Sequence, residues 1–209
     1  ETVPPNAEGW PVIEVPQGGR IEVQLPLLAA GPYEGFQEVV GQRRSLPLGS
    51  SFDAKAGILY WQPAAGFLGS YDLVFASVAR GGAATWVRVV VGPSMRTMID
   101  TPQADAVVDQ PFVVAGWTLD LAAVDGTGID TLHIWAYPAD GGEPMFLGVA
   151  AYGDARPDVA AVYGPAFERA GYSLSVAQLP PGTYDLVVYP HRAGTGTFDG
   201  AQSVRVFAR

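Results

Sequence analysis

Cysteine is absent from the 209 residues, which excludes disulfides, thiolate metal sites and a cysteine nucleophile. Charge is sparse: Asp, Glu, Lys and Arg make up 16% of the chain, against about a quarter in an ordinary globular protein. Hydrophobic residues at 48% and aromatics at 11% nevertheless give the composition of a chain that folds. Basic residues are few and unclustered. With 12 of them against 21 acidic ones the formal charge is -9, which repels phosphate backbones and excludes nucleic acid as a partner. No apolar run approaches the ~20 residues that cross a bilayer; the longest, near Val87 to Val91, has the length of one strand. Catalytic motifs are missing too. Only two histidines occur, His133 and His191, no G-x-S-x-G elbow is present, and no serine stands in a recognised nucleophile motif. The chain opens at Glu1 without Met or an apolar leader, so it reads as a segment trimmed from a longer precursor.

Glycine and proline, by contrast, are abundant, with 26 and 18 residues. That composition disfavours long helices and suits short strands joined by tight turns, so the expected class is all-β. A near-repeat then sets the organisation. Gly69-Ser70-Tyr71-Asp72-Leu73-Val74-Phe75 in the first half returns as Gly182-Thr183-Tyr184-Asp185-Leu186-Val187-Val188-Tyr189 in the second. In each copy period 2 puts Tyr and Leu on one face and Asp on the other, after a glycine-led turn. This is the pattern of a tyrosine corner, whose phenol hydroxyl bonds back to the backbone in immunoglobulin-like sandwiches. One domain per copy follows: two consecutive immunoglobulin-like antiparallel β-sandwich domains over residues 1–92 and 97–209, joined near Gly92-Pro93-Ser94. Strands are expected near 12–15, 20–25, 58–62, 71–77 and 85–91, then 112–119, 130–137, 145–151, 172–177, 184–189 and 202–207. The stretch from Arg156 to Ala170 breaks the rhythm, with Val159, Val162, Tyr163 and Phe167 at a spacing that suits a short helical turn or a packed loop.

Two runs of residues carry family resemblances. Phe52-Asp53-Ala54-Lys55-Ala56-Gly57-Ile58-Leu59-Tyr60-Trp61-Gln62-Pro63, followed by Gly69-Ser70-Tyr71, resembles the D-x-x-x-G-x-L-x-W-x-P and G-x-Y pattern of Ig or cadherin-like repeats of bacterial surface proteins, over residues 8 to 92. In cadherin-like relatives an acidic residue after the tyrosine strand contributes to calcium binding between domains. Ser77-Val78-Ala79-Arg80 stands there instead. The second half is similar to an Ig-like module of large secreted bacterial proteins. Its matching residues include Gln110-Pro111-Phe112 through Gly116-Trp117, His133-Ile134-Trp135-Ala136-Tyr137, Pro181-Gly182-Thr183-Tyr184 and the run Tyr152-Gly153-x-x-Arg156-Pro157-Asp158-Val159. The resemblance implies export and a sandwich fold without implying a reaction.

Candidate site residues are therefore weighed against structural roles. No residue is assigned to catalysis and no cofactor is required. Asp120, Asp125 and Asp130 offer oxygen ligands to calcium from one loop, but their spacing matches no EF-hand, and turn aspartates ordinarily cap backbone amides. Trp61 and Trp117 lie in strands that look like sandwich interior. Trp86, a candidate ligand contact, shares a face with Arg88, opposite Val87, Val89 and Val91. His133, Trp135 and Tyr137 form an aromatic stripe opposite Leu132, Ile134 and Ala136. The aliphatic set is assigned to the core, and the stripe to packing under the Arg156 to Phe167 excursion or to ligand contact. The resulting expectation is a non-catalytic accessory, spacer or adhesion module, secreted or on a bacterial cell surface, with other domains of its parent protein as partners. The alternatives are a carbohydrate-binding module, with a polysaccharide partner held by exposed aromatics, and a sandwich-fold enzyme built on convergent carboxylates.

Overall fold

A computed structural model describes residues 9–25, 32–78 and 84–209. It is all-β and divides into two compact units, Glu1–Ser94 and Met95–Arg209. In the first the strands are β1 (Val12–Pro16), β2 (Ile21–Gln24), β3 (Tyr33–Val39), β4 (Gln42–Arg44), β5 (Ser50–Asp53), β6 (Ile58–Trp61), β7 (Gly69–Ser77) and β8 (Ala84–Gly92). They form two sheets, β1-β8-β7-β3-β4 and β2-β6-β5. The first strand runs parallel to the last, with Val12 opposite Arg88 through Pro16 opposite Gly92.

The D-x-x-x-G-x-L-x-W motif explains itself here. Asp53 accepts hydrogen bonds from the Lys55 and Ala56 amides at 2.9 Å each, and those amides hold its carboxyl below the usual range. Gly57 closes the turn at φ +67, a left-handed conformation that favours glycine. The chain then enters β6 with Leu59 and Trp61 facing inward, both essentially buried. The Trp61 ring meets Tyr71 edge-on at 4.9 Å and Phe67 at 6.1 Å, while its indole N–H donates to the Leu48 carbonyl at 3.2 Å. Leu73 and Phe75 on β7 and Val87, Val89 and Val91 on β8 complete this core from one face of each strand, while Val74, also buried, lies on the other face of β7.

The second unit contains β9 (Met95–Thr101), β10 (Ala106–Val108), β11 (Phe112–Asp120), β12 (Ile129–Pro138), β13 (Met145–Val149), β14 (Ala151–Asp154), β15 (Gly171–Val176), β16 (Gly182–Arg192), β17 (Thr197–Phe198) and β18 (Gln202–Ala208). Helix α1 spans Pro157–Tyr163 and a 3-10 turn follows at Pro165–Phe167, so the predicted excursion takes the helical option. The sheets are β10-β18-β16-β12-β13, with β17 on β16, and β14-β15-β11-β9. Its core holds Val114, Leu132, Ile134, Ala136, Tyr172, Leu186, Val188 and Val206.

The connectivity defines the class. In both units the chain crosses repeatedly between two sheets. The first changes sheet on leaving β1 for β2, β2 for β3, β4 for β5 and β6 for β7. The second does so on leaving β9 for β10, β10 for β11, β11 for β12, β13 for β14 and β15 for β16. Each then closes with antiparallel neighbours in one sheet (β7-β8, β16-β18), as in an immunoglobulin-like sandwich. Tyr71 and Tyr184 occupy equivalent places, each on the strand paired with the last strand on one side and a central strand on the other. The tyrosine-corner hydrogen bond itself is a correction. Neither phenol oxygen has a partner among the described residues: Tyr71 is engaged by Trp61 and Phe67, and the Tyr184 ring folds over Gly182, where a Cβ would lie 3.2 Å from it.

Several strands escape the sequence reading: β3, β4, β5, β9, β10 and β17, and β14, which the expected strand near 145–151 meets only at Ala151. Gly92 is the end of β8 and Met95 the start of β9, so only Pro93 and Ser94 of the expected linker lie between strands. Of the run Ser77-Val78-Ala79-Arg80, the last two lie outside the described residues.

Candidate functional site

The feature with the chemistry of a contact surface is the outer face of the β10-β18-β16-β12-β13 sheet. Period 2 along β12 turns Leu132, Ile134 and Ala136 into the core, all fully buried, and leaves His133, Trp135 and Tyr137 half-buried on the outside. Register places Tyr189 opposite His133, Val187 opposite Trp135 and Asp185 opposite Tyr137. The Tyr137 and Tyr189 hydroxyls lie 2.9 Å apart. The Tyr189 phenol is pushed up to about 12, first by the Tyr137 hydroxyl and then by burial.

Two phenylalanines flank the stripe. Phe146 on β13 tilts against Trp135 at 5.1 Å and against His133 at 5.3 Å. Phe198 on β17 packs against His133 at 4.6 Å and His191 at 4.8 Å, so both histidines of the chain meet one ring. Their exposure is high for such large apolar groups, 48% for Phe146 and 46% for Phe198. Charges on the face are internally paired. Asp185 takes a two-pronged contact from Arg205 at 2.8 and 2.7 Å, which lowers its pKa, and His191 Nδ1 lies 2.6 Å from Asp130 Oδ1.

The expected cover of this stripe is a correction. Helix α1 and the 3-10 turn pack on the opposite sheet, where Val159 and Phe167 join Leu119, Ala170, Trp117, Leu121 and Tyr163 in a separate cluster. Trp117 moves with it. The indole is on the outer face of β11, half-buried and 5.7 Å from the Tyr163 ring, instead of filling the space between the sheets. That space is taken by Val114 and by Gly116, whose missing Cβ lets the Met98 carbonyl and the Tyr172 hydroxyl approach.

The Y-G-x-x-R-P-D-V run is structural. The Tyr152 hydroxyl donates to the Thr118 carbonyl at 2.8 Å. Arg156 clamps Asp158 with two bonds, at 2.9 and 2.7 Å, and Asp100 with a third at 2.6 Å. Pro157 opens the helix and Val159 is buried beneath it. The Asp158 carboxyl is held at about 2 by that guanidinium.

The three calcium candidates do not converge. Asp120 is buried, accepts from the Ala122 amide at 3.0 Å and lies 3.1 Å from Arg192 Nε. Asp125 is exposed in a turn, and Asp130 belongs to His191. Among the described residues no three His, Asp or Glu side chains gather around one point. In the first unit, Trp86 stacks on Trp10 at 4.6 Å and 13°. Arg88, bound to Asp72 by two contacts of 2.6 and 2.9 Å, lies over the Trp10 ring. One face of Trp86 is therefore already occupied. Phe146, Tyr189 and Phe198 were not legible as partners of the stripe, because cross-strand neighbours follow from register alone.

No family model and no curated protein sequence matches the chain. Solved structures with similar architecture include the fibronectin(III)-like modules of Clostridium thermocellum CbhA, 15% identical, covering 97% of this chain and 92% of that one at a TM-score of 0.36. Extracellular domains 3-5 of Drosophila OTK are 12% identical, with 96% of this chain and 60% of that one covered at a TM-score of 0.32. The titin domains z1z2, solved with telethonin, are 15% identical over 94% of this chain and 90% of that one, TM-score 0.32. The class rests on the strand connectivity, to which TM-scores of this size add nothing. By that connectivity the protein is a pair of immunoglobulin-like β-sandwiches.

Proposed function

We propose that the chain is a non-catalytic accessory module of a secreted or cell-surface bacterial protein. Its two domains space or orient neighbouring parts of the parent and make contacts through the aromatic face of the second domain. The observation that carries this reading is the half-exposed cluster of Phe146, Phe198, Trp135 and Tyr137 on an outer sheet face, since surface patches of this kind on soluble proteins mark contact sites. Its polar groups pair with one another, Tyr137 with Tyr189, His191 with Asp130 and Arg205 with Asp185. The reading requires no metal: a melting temperature raised by micromolar free calcium and restored by chelator would overturn that part of it.

Carbene footprinting of the full chain tests the face directly. Labelling of Phe146 and Phe198 comparable to that of the exposed Val124 is expected. Protection of both in the free chain, or turnover of chromogenic ester and glycoside substrates, would refute the proposal. Sugar stacking is the less favoured occupant, because neighbouring rings are inclined by 40 to 65° and offer no shared plane to a row of pyranose rings. Retention on an insoluble polysaccharide would reverse that ranking.

A further inference from the structure

We propose that the aromatic face of the second domain docks a basic, arginine-bearing segment of a partner polypeptide. The inference rests on the reading that this face is an open contact surface, and it deepens that reading by naming the chemistry of the occupant. Charge complementarity carries it. Residues 95–209 hold six arginines, no lysine, eleven aspartates and two glutamates, a net of -7 out of the chain's -9. Three of those arginines are committed to aspartates of the same unit: Arg156 to Asp100 and Asp158, Arg192 to Asp120, and Arg205 to Asp185. The free field of this unit is therefore negative.

The stripe lies within that field, with carboxylates at both ends. Asp130 and Asp199 stand beside the Phe198 end, with side chains 51% and 41% exposed, and Asp140 and Glu143 are exposed in the turn between β12 and β13 at the other. Between them runs the aromatic stripe, beside which Asp185 and Arg205 neutralise each other. Aromatic faces attract cations through their quadrupole, and a flat guanidinium stacks on a single ring whatever the tilt of the next one. The inclined rings that disfavour a planar sugar array thus suit separate arginine side chains. The Tyr137 and Tyr189 oxygens add acceptors for guanidinium N–H groups at the middle of the stripe. A second copy of this domain would bring a field of the same sign to the face, whereas a basic segment is steered toward it.

The test uses the whole 209-residue chain and a fluorescein-labelled peptide alternating arginine and valine, with glutamine-valine and glutamate-valine peptides as controls. Fluorescence anisotropy at low and high salt should show saturable binding of the arginine peptide that weakens with salt. The glutamine peptide should bind at least about tenfold more weakly, and the double variant Phe146→Ser, Phe198→Ser should lose a similar factor. Both positions are half-exposed, so the variant keeps its fold, verified by an unchanged melting curve, and Val124→Ser serves as a distant exposed control expected to bind normally. Equal binding of arginine and glutamine peptides overturns the proposal, as does undiminished binding by the double variant. Footprinting separates the failures: an accessible face that ignores the arginine peptide sinks only the partner chemistry. A face protected in the free chain sinks the contact-surface reading beneath it.

Discussion

Raising the pH should destabilise the second unit through two phenols that the sandwich keeps out of water. The Tyr152 hydroxyl donates to the Thr118 carbonyl at 2.8 Å, and burial pushes its pKa up to about 12 from 10.0. Tyr172, 1% exposed, donates to the Met98 carbonyl at 3.0 Å and is displaced upward as well, by burial first and by the Asp100 charge second. In both cases the folded state holds the proton more tightly than the unfolded chain. Their contribution is therefore intact below pH 10 and is lost as pH rises through the folded-state pKa. For Tyr152, two units correspond to about 2.7 kcal/mol lost by the end of the window and about 1.4 kcal/mol at pH 11. Tyr172 adds to this in the same direction. Against a domain stability of about 5 to 15 kcal/mol, that is enough to lower the melting temperature visibly between pH 10 and 12. Thermal melts followed by circular dichroism, paired with phenolate absorbance, provide the assay. Tyr152→Phe should flatten the decline on the alkaline side while costing stability at neutral pH through the lost hydrogen bond. Titration of every phenol near pH 10 in a chain that stays folded would refute the reasoning.

Trp61→Ala removes a fully buried indole together with its bond to Leu48 and should cost the first unit about 3 to 5 kcal/mol, read by denaturant unfolding with a probe specific to that unit. Gly116→Ala drives a methyl into the Met98 carbonyl and the Tyr172 hydroxyl, both backed by the sheet, and should destabilise the second unit by about 1 to 3 kcal/mol or more. On acidification, Asp158 should remain ionised to about pH 2 in an NMR titration. Its depressed pKa means the Arg156 clamp helps the fold above the ordinary carboxyl range and stops helping as pH falls toward 2. Arg156→Lys should bring that titration back toward 3.8, because an ammonium cannot hold two aspartates with a planar fork.

What could be read in advance depended on whether one face of a strand was visibly apolar. β8 and β16 alternate cleanly, β7 carries an apolar run of Leu73, Val74 and Phe75 after its glycine-led turn, and the ends of all three were placed within a few residues. β3 was missed because its outward Glu34, Glu38 and inward Gly35, Gln37 blur the period, and β4, Gln-Arg-Arg, has no apolar residue at all. β9 begins two residues after β8 ends, leaving no turn signal between them. In β11 both faces are apolar, one against the other sheet and one under α1, so the alternation that contains Trp117 does not reveal which side is interior. The stripe on β12 was legible because Leu132, Ile134 and Ala136 form a smaller, wholly aliphatic set. Its assigned cover was not, since nothing in residues 156–170 encodes which sheet they lie against.

The parallel pairing of first and last strands carries a mechanical consequence. When two parallel strands are drawn from opposite ends, the ladder bonds between them are loaded together, in shear, and not peeled one after another. In the first unit β1 and β8 share five such positions. The second unit begins instead with β9, which pairs antiparallel with β11, and only the next strand, β10, lies parallel to the last, over three positions. Under tension the first sandwich should therefore resist through a sheared terminal ladder, while load on the second enters through a strand that has no parallel partner.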